Sequence, residues 1–172
     1  PSCCIHVGNI SPAGCPVILQ VPVINLTGSS LVSNGGVVRL EGPVVLNNNI
    51  RLNSGGGNTN FFNTLNSAPN TSYSASLTVG TGNLNFSGDV GSRNPLGNLS
   101  IVNAQNVLAN GSINVANLQQ LAGSGSTNLQ GFVSTTDLAG VDINTNGNIT
   151  TNRIVTGTDS GDAGQVRLNS GG

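Results

Sequence analysis

Short runs in which apolar and polar residues alternate recur along most of this chain. Asn83-Leu84-Asn85-Phe86, Gly140-Val141-Asp142-Ile143 and Gln165-Val166-Arg167-Leu168 each show the two-residue period of a strand with one buried face. Gly or Asn punctuates the runs where a turn needs φ > 0. The apolar residues are mostly Val, Leu and Ile, which suit a pleated, half-buried surface. Helix is disfavoured throughout. With 25 Gly and 27 Asn in 172 residues, hardly any stretch is long enough to hold helical turns together.

The runs themselves repeat on two tracks. On the first, an apolar residue precedes Asn or Gly, a small polar residue and Gly, as in Leu52-Asn53-Ser54-Gly55, Val79-Gly80-Thr81-Gly82, Leu121-Ala122-Gly123-Ser124-Gly125, Ile143-Asn144-Thr145-Asn146-Gly147 and Leu168-Asn169-Ser170-Gly171. The looser Ile101-Val102-Asn103-Ala104 fills the one gap. On the second, Gly sits between apolar residues in Leu40-Glu41-Gly42-Pro43-Val44, Phe86-Ser87-Gly88-Asp89-Val90 and Leu129-Gln130-Gly131-Phe132-Val133. Both tracks return about every 20 to 25 residues, a mark of repeat architecture.

This spacing predicts an all-β fold: a right-handed parallel β-helix (β-solenoid) of about 22 residues per coil, with two or three short strands in each. Six coils are expected, at 36–57, 58–82, 83–105, 106–126, 127–147 and 148–172. An antiparallel β-sandwich, also built of short strands and frequent turns, is the alternative. Residues 1–35 stand apart as a cap or entry segment, because they hold all three Cys, the only His and Pro22 inside the most apolar stretch. Asn66-Ser67-Ala68-Pro69-Asn70 reads as a loop pushed out of the stack.

Composition removes several functions. Only 6% of residues are charged, the net charge is -1 and Lys is absent, so no basic footprint for nucleic acid exists. The apolar runs are broken by Gln20, Pro22 and Asn25, which leaves no membrane-spanning segment. Hydrophobic residues make up 36% of the chain and recur periodically, which argues against disorder.

The segment from Leu77-Thr78-Val79-Gly80-Thr81-Gly82-Asn83-Leu84-Asn85-Phe86 to the C-terminus resembles the β-strand-repeat surface proteins of bacteria, such as filamentous-haemagglutinin-type adhesins and autotransporter passengers. A Gly-Asn-apolar coil start recurs at Gly82-Asn83-Leu84, Gly97-Asn98-Leu99 and Gly147-Asn148-Ile149. The resemblance implies an exported, extracellular or cell-surface protein with a structural or adhesive role and a host-surface or glycan receptor. The bare repeat at the C-terminus and the odd cysteine suit self-association into a head-to-tail polymer; further repeats of the same chain are the other expectation.

Candidate chemistry is sparse, and no cofactor or catalytic centre is expected. The acids Glu41, Asp89, Asp137, Asp142, Asp159 and Asp162 are scattered. Asp137 or Asp142 with Asp159 or Asp162 would meet the carboxylate spacing of a glycosidase, giving a carbohydrate-active or carbohydrate-binding β-helix as the competing reading. Asp159-Ser160-Gly161-Asp162 lacks the further oxygen ligands of a Ca²⁺ loop. Cys3, Cys4 and Cys15 are expected to form one disulfide, Cys15 with Cys3 or Cys4, leaving one thiol for an interchain crosslink. With His6 they could instead fill a zinc site, although adjacent Cys is an unusual ligand spacing. Sequons occur at Asn9, Asn25, Asn70, Asn85, Asn98, Asn110 and Asn148, no more than chance scatters among 27 Asn and 33 Ser plus Thr.

Overall fold

The structure is a computed structural model that describes residues 4–7, 14–157 and 161–171. Among these residues every regular element is a strand. The chain winds in parallel coils, each laid on the one before. Strand β1 (Cys4–Val7) leads in, followed by a coil of β2 (Val17–Leu19), β3 (Val23–Leu26) and β4 (Ser30–Val32). The next holds β5 (Val38–Leu40), β6 (Val44–Leu46) and β7 (Ile50–Asn53), and the third β8 (Thr59–Phe61), β9 (Leu65–Ser67) and β10 (Ala75–Thr78). In the later coils the strands lengthen and run round a corner. These are β11 (Leu84–Phe86) with β12 (Leu96–Asn103), β13 (Val107–Ala109) with β14 (Ile113–Gln120), β15 (Thr127–Thr135) with β16 (Val141–Thr145), and β17 (Ile149–Thr156) with β18 (Val166–Ser170).

All strand pairings among the described residues are parallel, which removes the antiparallel sandwich. The coils number about seven, with roughly 21-residue spacing. At the usual distance between paired strands they make a stack about 30 Å long. The stack extends below residue 36: β2, β3 and β4 pair with β5, β6 and β7, so most of the segment set apart as a cap or entry piece is itself coil. Pro22 sits at the corner between β2 and β3, where its missing N–H breaks no ladder.

Each coil has three faces, and its alternate residues point into a shared core. One inner column runs Leu40, Phe61, Phe86, Ala109 and Leu129. A second runs Ile24, Val44, Leu65, Val90, Ile113 and Val133. Every residue of both columns is buried. Large and small alternate where they must: Phe61 and Phe86 stack with centroids 5.0 Å apart, and Ala109 makes room above them. Interdigitation of this kind fills a core to crystal-like density.

The third column corrects two positions of the expected repeat. It runs Leu31, Leu52, Leu77, Ile101, Gln120, Ile143 and Leu168. Leu77, not Val79, lies over Leu52. Val79 follows instead in the corner column of Ser33, Ser54, Ala104 and Gly123. Leu121 is 48% exposed, whereas its neighbour Gln120 takes the inward place at 2%. The buried amide is not orphaned, because Thr127 Oγ1 donates to Gln120 Oε1 at 2.8 Å.

Breaking that pair strands a buried hydroxyl. Gln120→Leu alone is expected to cost about 1–3 kcal/mol, while Gln120→Leu with Thr127→Val, which removes both partners, comes back close to wild type. Urea melts of the two variants check this, and equal losses in both would refute the pairing.

Candidate functional site

The polar side chains sit mainly at the corners and on the outer faces, and a number of them tie one coil to the next. Asn106 Nδ2 donates to Asn83 Oδ1 at 2.9 Å, and Asn83 Nδ2 to Asn58 Oδ1 at 3.4 Å. The ladder ends where the Ser126 amide donates to Asn106 Oδ1 at 2.8 Å. At the same corner Ser33 and Ser54 each donate a hydroxyl to the carbonyl three residues on, at 2.6 Å. These bonds satisfy groups that the turns would otherwise leave unpaired.

The corner between the second and third faces carries a groove of about 660 Å³ along the stack. Its floor is the outward column of the third face. Strand pairing there places Arg51 beneath Ser76 and Ser76 beneath Ser100, on successive coils. Its wall is a chain of bonds climbing the corner. The Asn49 backbone N–H donates to Asn48 Oδ1, the Ser74 N–H to Asn49 Oδ1, the Asn98 N–H to Ser74 Oγ, and Asn117 Nδ2 to Asn98 Oδ1, all at 2.8–2.9 Å.

Every side-chain amide oxygen of that wall is therefore engaged, while the side-chain NH₂ groups of Asn48, Asn49 and Asn98 have no acceptor among the described residues. Arg51 is exposed. The ion pairs of the described residues are Arg39 with Glu41 at 3.0 Å and Arg167 with Asp142 at 3.9 Å, so the Arg51 guanidinium is left with no carboxylate. The groove offers one guanidinium, side-chain amide donors and serine hydroxyls, and among the described residues no carboxylate lines it. Its chemistry suits an oxygen-rich, anionic ligand. Nothing in the sequence pattern singled out Arg51. The visible signal was limited to a lone Arg on an alternating strand, and its neighbours arrive from coils about two dozen residues away.

The predicted site residues fall elsewhere, with one exception. Cys15 carries an exposed thiol that is not in a disulfide. Cys3 and Asn9 lie outside the described residues, as do the side chains of Cys4 and His6. Asn70, Asn98, Asn110 and Asn148 are exposed, and Asn25 and Asn85 are half-buried. Asn98 is the exception, since it lines the groove. Gly97-Asn98-Leu99 is not a coil start like Gly82-Asn83-Leu84, because it lies inside β12 at a different corner.

The acids serve turns and ion pairs. Asp89 Oδ1 accepts the Ser112 N–H at 2.8 Å, and Asp137 Oδ1 accepts the Ala139 N–H at 3.0 Å. Asp159 and Ser160 lie outside the described residues. Among the described residues no group of three or more His, Cys, Asp or Glu is placed to hold a metal ion, and no helix is long and apolar enough to cross a membrane.

No protein-family model matches this chain, and neither a curated protein nor a solved structure matches it.

Proposed function

We propose that this chain is an exported structural or adhesive β-solenoid, a stiff element of an extracellular rod. It is either a segment of a cell-surface adhesin stalk or the subunit of a filament assembled end to end. The observation that carries the reading is the continuity of the columns. The same inward and corner positions repeat in register over some seven coils, so each coil is a template for another.

Stacked hydrogen-bonded coils resist bending because most strands of the interior coils are tied to a strand on each side along the axis. Few charges are present to titrate, and five Arg with no Lys leave few sites for trypsin-like proteases. Both properties suit a surface fibre.

Negative-stain electron microscopy with sedimentation of the purified chain tests this. Filaments are expected if copies add to one another, and isolated short rods if the chain is a stalk segment. Turnover of a polysaccharide, lost on Asp142→Ala, would replace the reading with a carbohydrate-active enzyme. Recovery of the native protein only from the cytosolic fraction would end the exported part of the proposal.

A further inference from the structure

We infer that the groove over Arg51 is a binding site for a short acidic oligosaccharide. Three observations converge on it. The wall presents amide N–H donors at Asn48, Asn49 and Asn98, because the corner ladder engages their oxygens. The floor presents one guanidinium, with the Ser76 and Ser100 hydroxyls above it at one-coil steps, and no described residue bonds to either hydroxyl. The groove is elongated along the stack: from Ser30 to Ser100 it spans three coil steps, about 14 Å at the normal strand spacing.

This geometry selects among anions. A nucleic acid repeats a phosphate at every nucleotide and needs clustered cations, but the groove has one. An acidic peptide would likewise set a row of carboxylates against a single guanidinium. An oligosaccharide bearing a carboxylate or sulfate among neutral ring and hydroxyl oxygens matches the set: Arg51 forks onto the anion, the Asn amides donate to neutral oxygens, and the serines both donate and accept. The rest of the described cations are less free or lie elsewhere. Arg39 and Arg153 each lie over a Phe ring, Arg39 and Arg167 are ion-paired, and Arg93 is on another face.

The site gives chemical content to an adhesive role and depends on the solenoid corner, not on export or polymerisation. Its failure would leave the rod reading intact, and loss of filaments in microscopy would leave the groove intact.

The test is calorimetric titration of the full chain, made in a host that does not N-glycosylate so that Asn98 stays unmodified. The probes are sialyllactose, which carries one carboxylate on a neutral disaccharide, its methyl ester, the singly sulfated 3′-sulfolactose, and hexaglutamate. Binding is expected for the acidic saccharides. Preference for the first or the third assigns the anion as carboxylate or sulfate. Esterification, Arg51→Gln and Asn98→Asp are each expected to weaken binding about tenfold or more, the scale of losing a charge-assisted bond or reversing a donor. Arg93→Gln should leave binding unchanged. All three altered side chains are exposed, so the variants are expected to fold, and thermal melts check this. No binding of either acidic saccharide, undiminished binding by Arg51→Gln, or equal binding of hexaglutamate would each overturn the inference.

Discussion

Gly57→Val is expected to destabilise the solenoid by at least about 3 kcal/mol and to abolish folding of the coils on either side. A Cβ built on Gly57 would lie 2.1 Å from the Gly36 carbonyl oxygen, and one on Gly82 would lie 2.4 Å from that of Gly57. Gly36 has the same relation to Cys15, at 2.2 Å. The colliding atoms are backbone in every case, so no rotamer change relieves the clash. One coil can move away from the next only by breaking the ladder bonds beside it, among them Thr59 N–H to Asn83 and Val38 N–H to Asn58. Gly157 is the control. Nothing lies within 4 Å of a Cβ there, so Gly157→Ala should stay within about 0.5 kcal/mol of wild type. Urea denaturation followed by circular dichroism checks both, with hydrogen exchange to locate the coils lost. A Gly57→Val protein that melts like wild type would mean the coils are not in backbone contact at this corner.

Phe86→Ala is expected to cost about 3–5 kcal/mol, the range for emptying a fully buried aromatic site. Phe86 is 1% exposed and stacks on Phe61 with an interplanar angle of 18°. The site cannot collapse easily. Its neighbours along the axis are held at the strand spacing by main-chain bonds on both sides, and Ala109 above has no side chain to swing into the gap. Phe86→Leu refills most of the volume and should cost about 1 kcal/mol. Phe132→Ala separates burial from aromaticity. Phe132 is 53% exposed, so its loss should change stability by no more than about 0.5 kcal/mol. The same urea melts read all three variants. A Phe86→Ala loss no larger than that of Phe132→Ala would show that the core column is not packed as described.

Much of this architecture was legible in the chain. The period, the all-parallel stacking and the second track of apolar residues about a Gly reappear as the columns through Leu40, Phe86 and Leu129 and through Val44, Val90 and Val133. The displaced loop is present only in part, because Asn66 and Ser67 are buried in β9 and paired with Val45 and Leu46, and the excursion starts after them. Asn70 takes a positive φ of 60°, and Thr71 Oγ1 donates back to the Ala68 carbonyl to close the excursion. What misled was the length of the corners. From Leu52 the next inward residue is 25 positions on, at Leu77, but from Ile101 it is 19 on, at Gln120. Spatial steps are uniform while sequence steps are not. An apolar residue near the right place, such as Val79 or Leu121, therefore looks like the repeat.

The sequence by itself determined that this protein is a stack of short strands, because alternation of apolar and polar residues is a local property and its recurrence survives loops of unequal length. It could not determine register, since one residue of slip exchanges the buried and exposed sets, and whether Gln120 or Leu121 turns inward is settled by the strands above and below. Nor could it show the groove. Arg51, Ser76 and Ser100 are strangers in the chain, and only the superposition of coils makes them neighbours. The freedom of the Asn98 amide hydrogens follows from a bond that another coil's Asn117 makes to its oxygen.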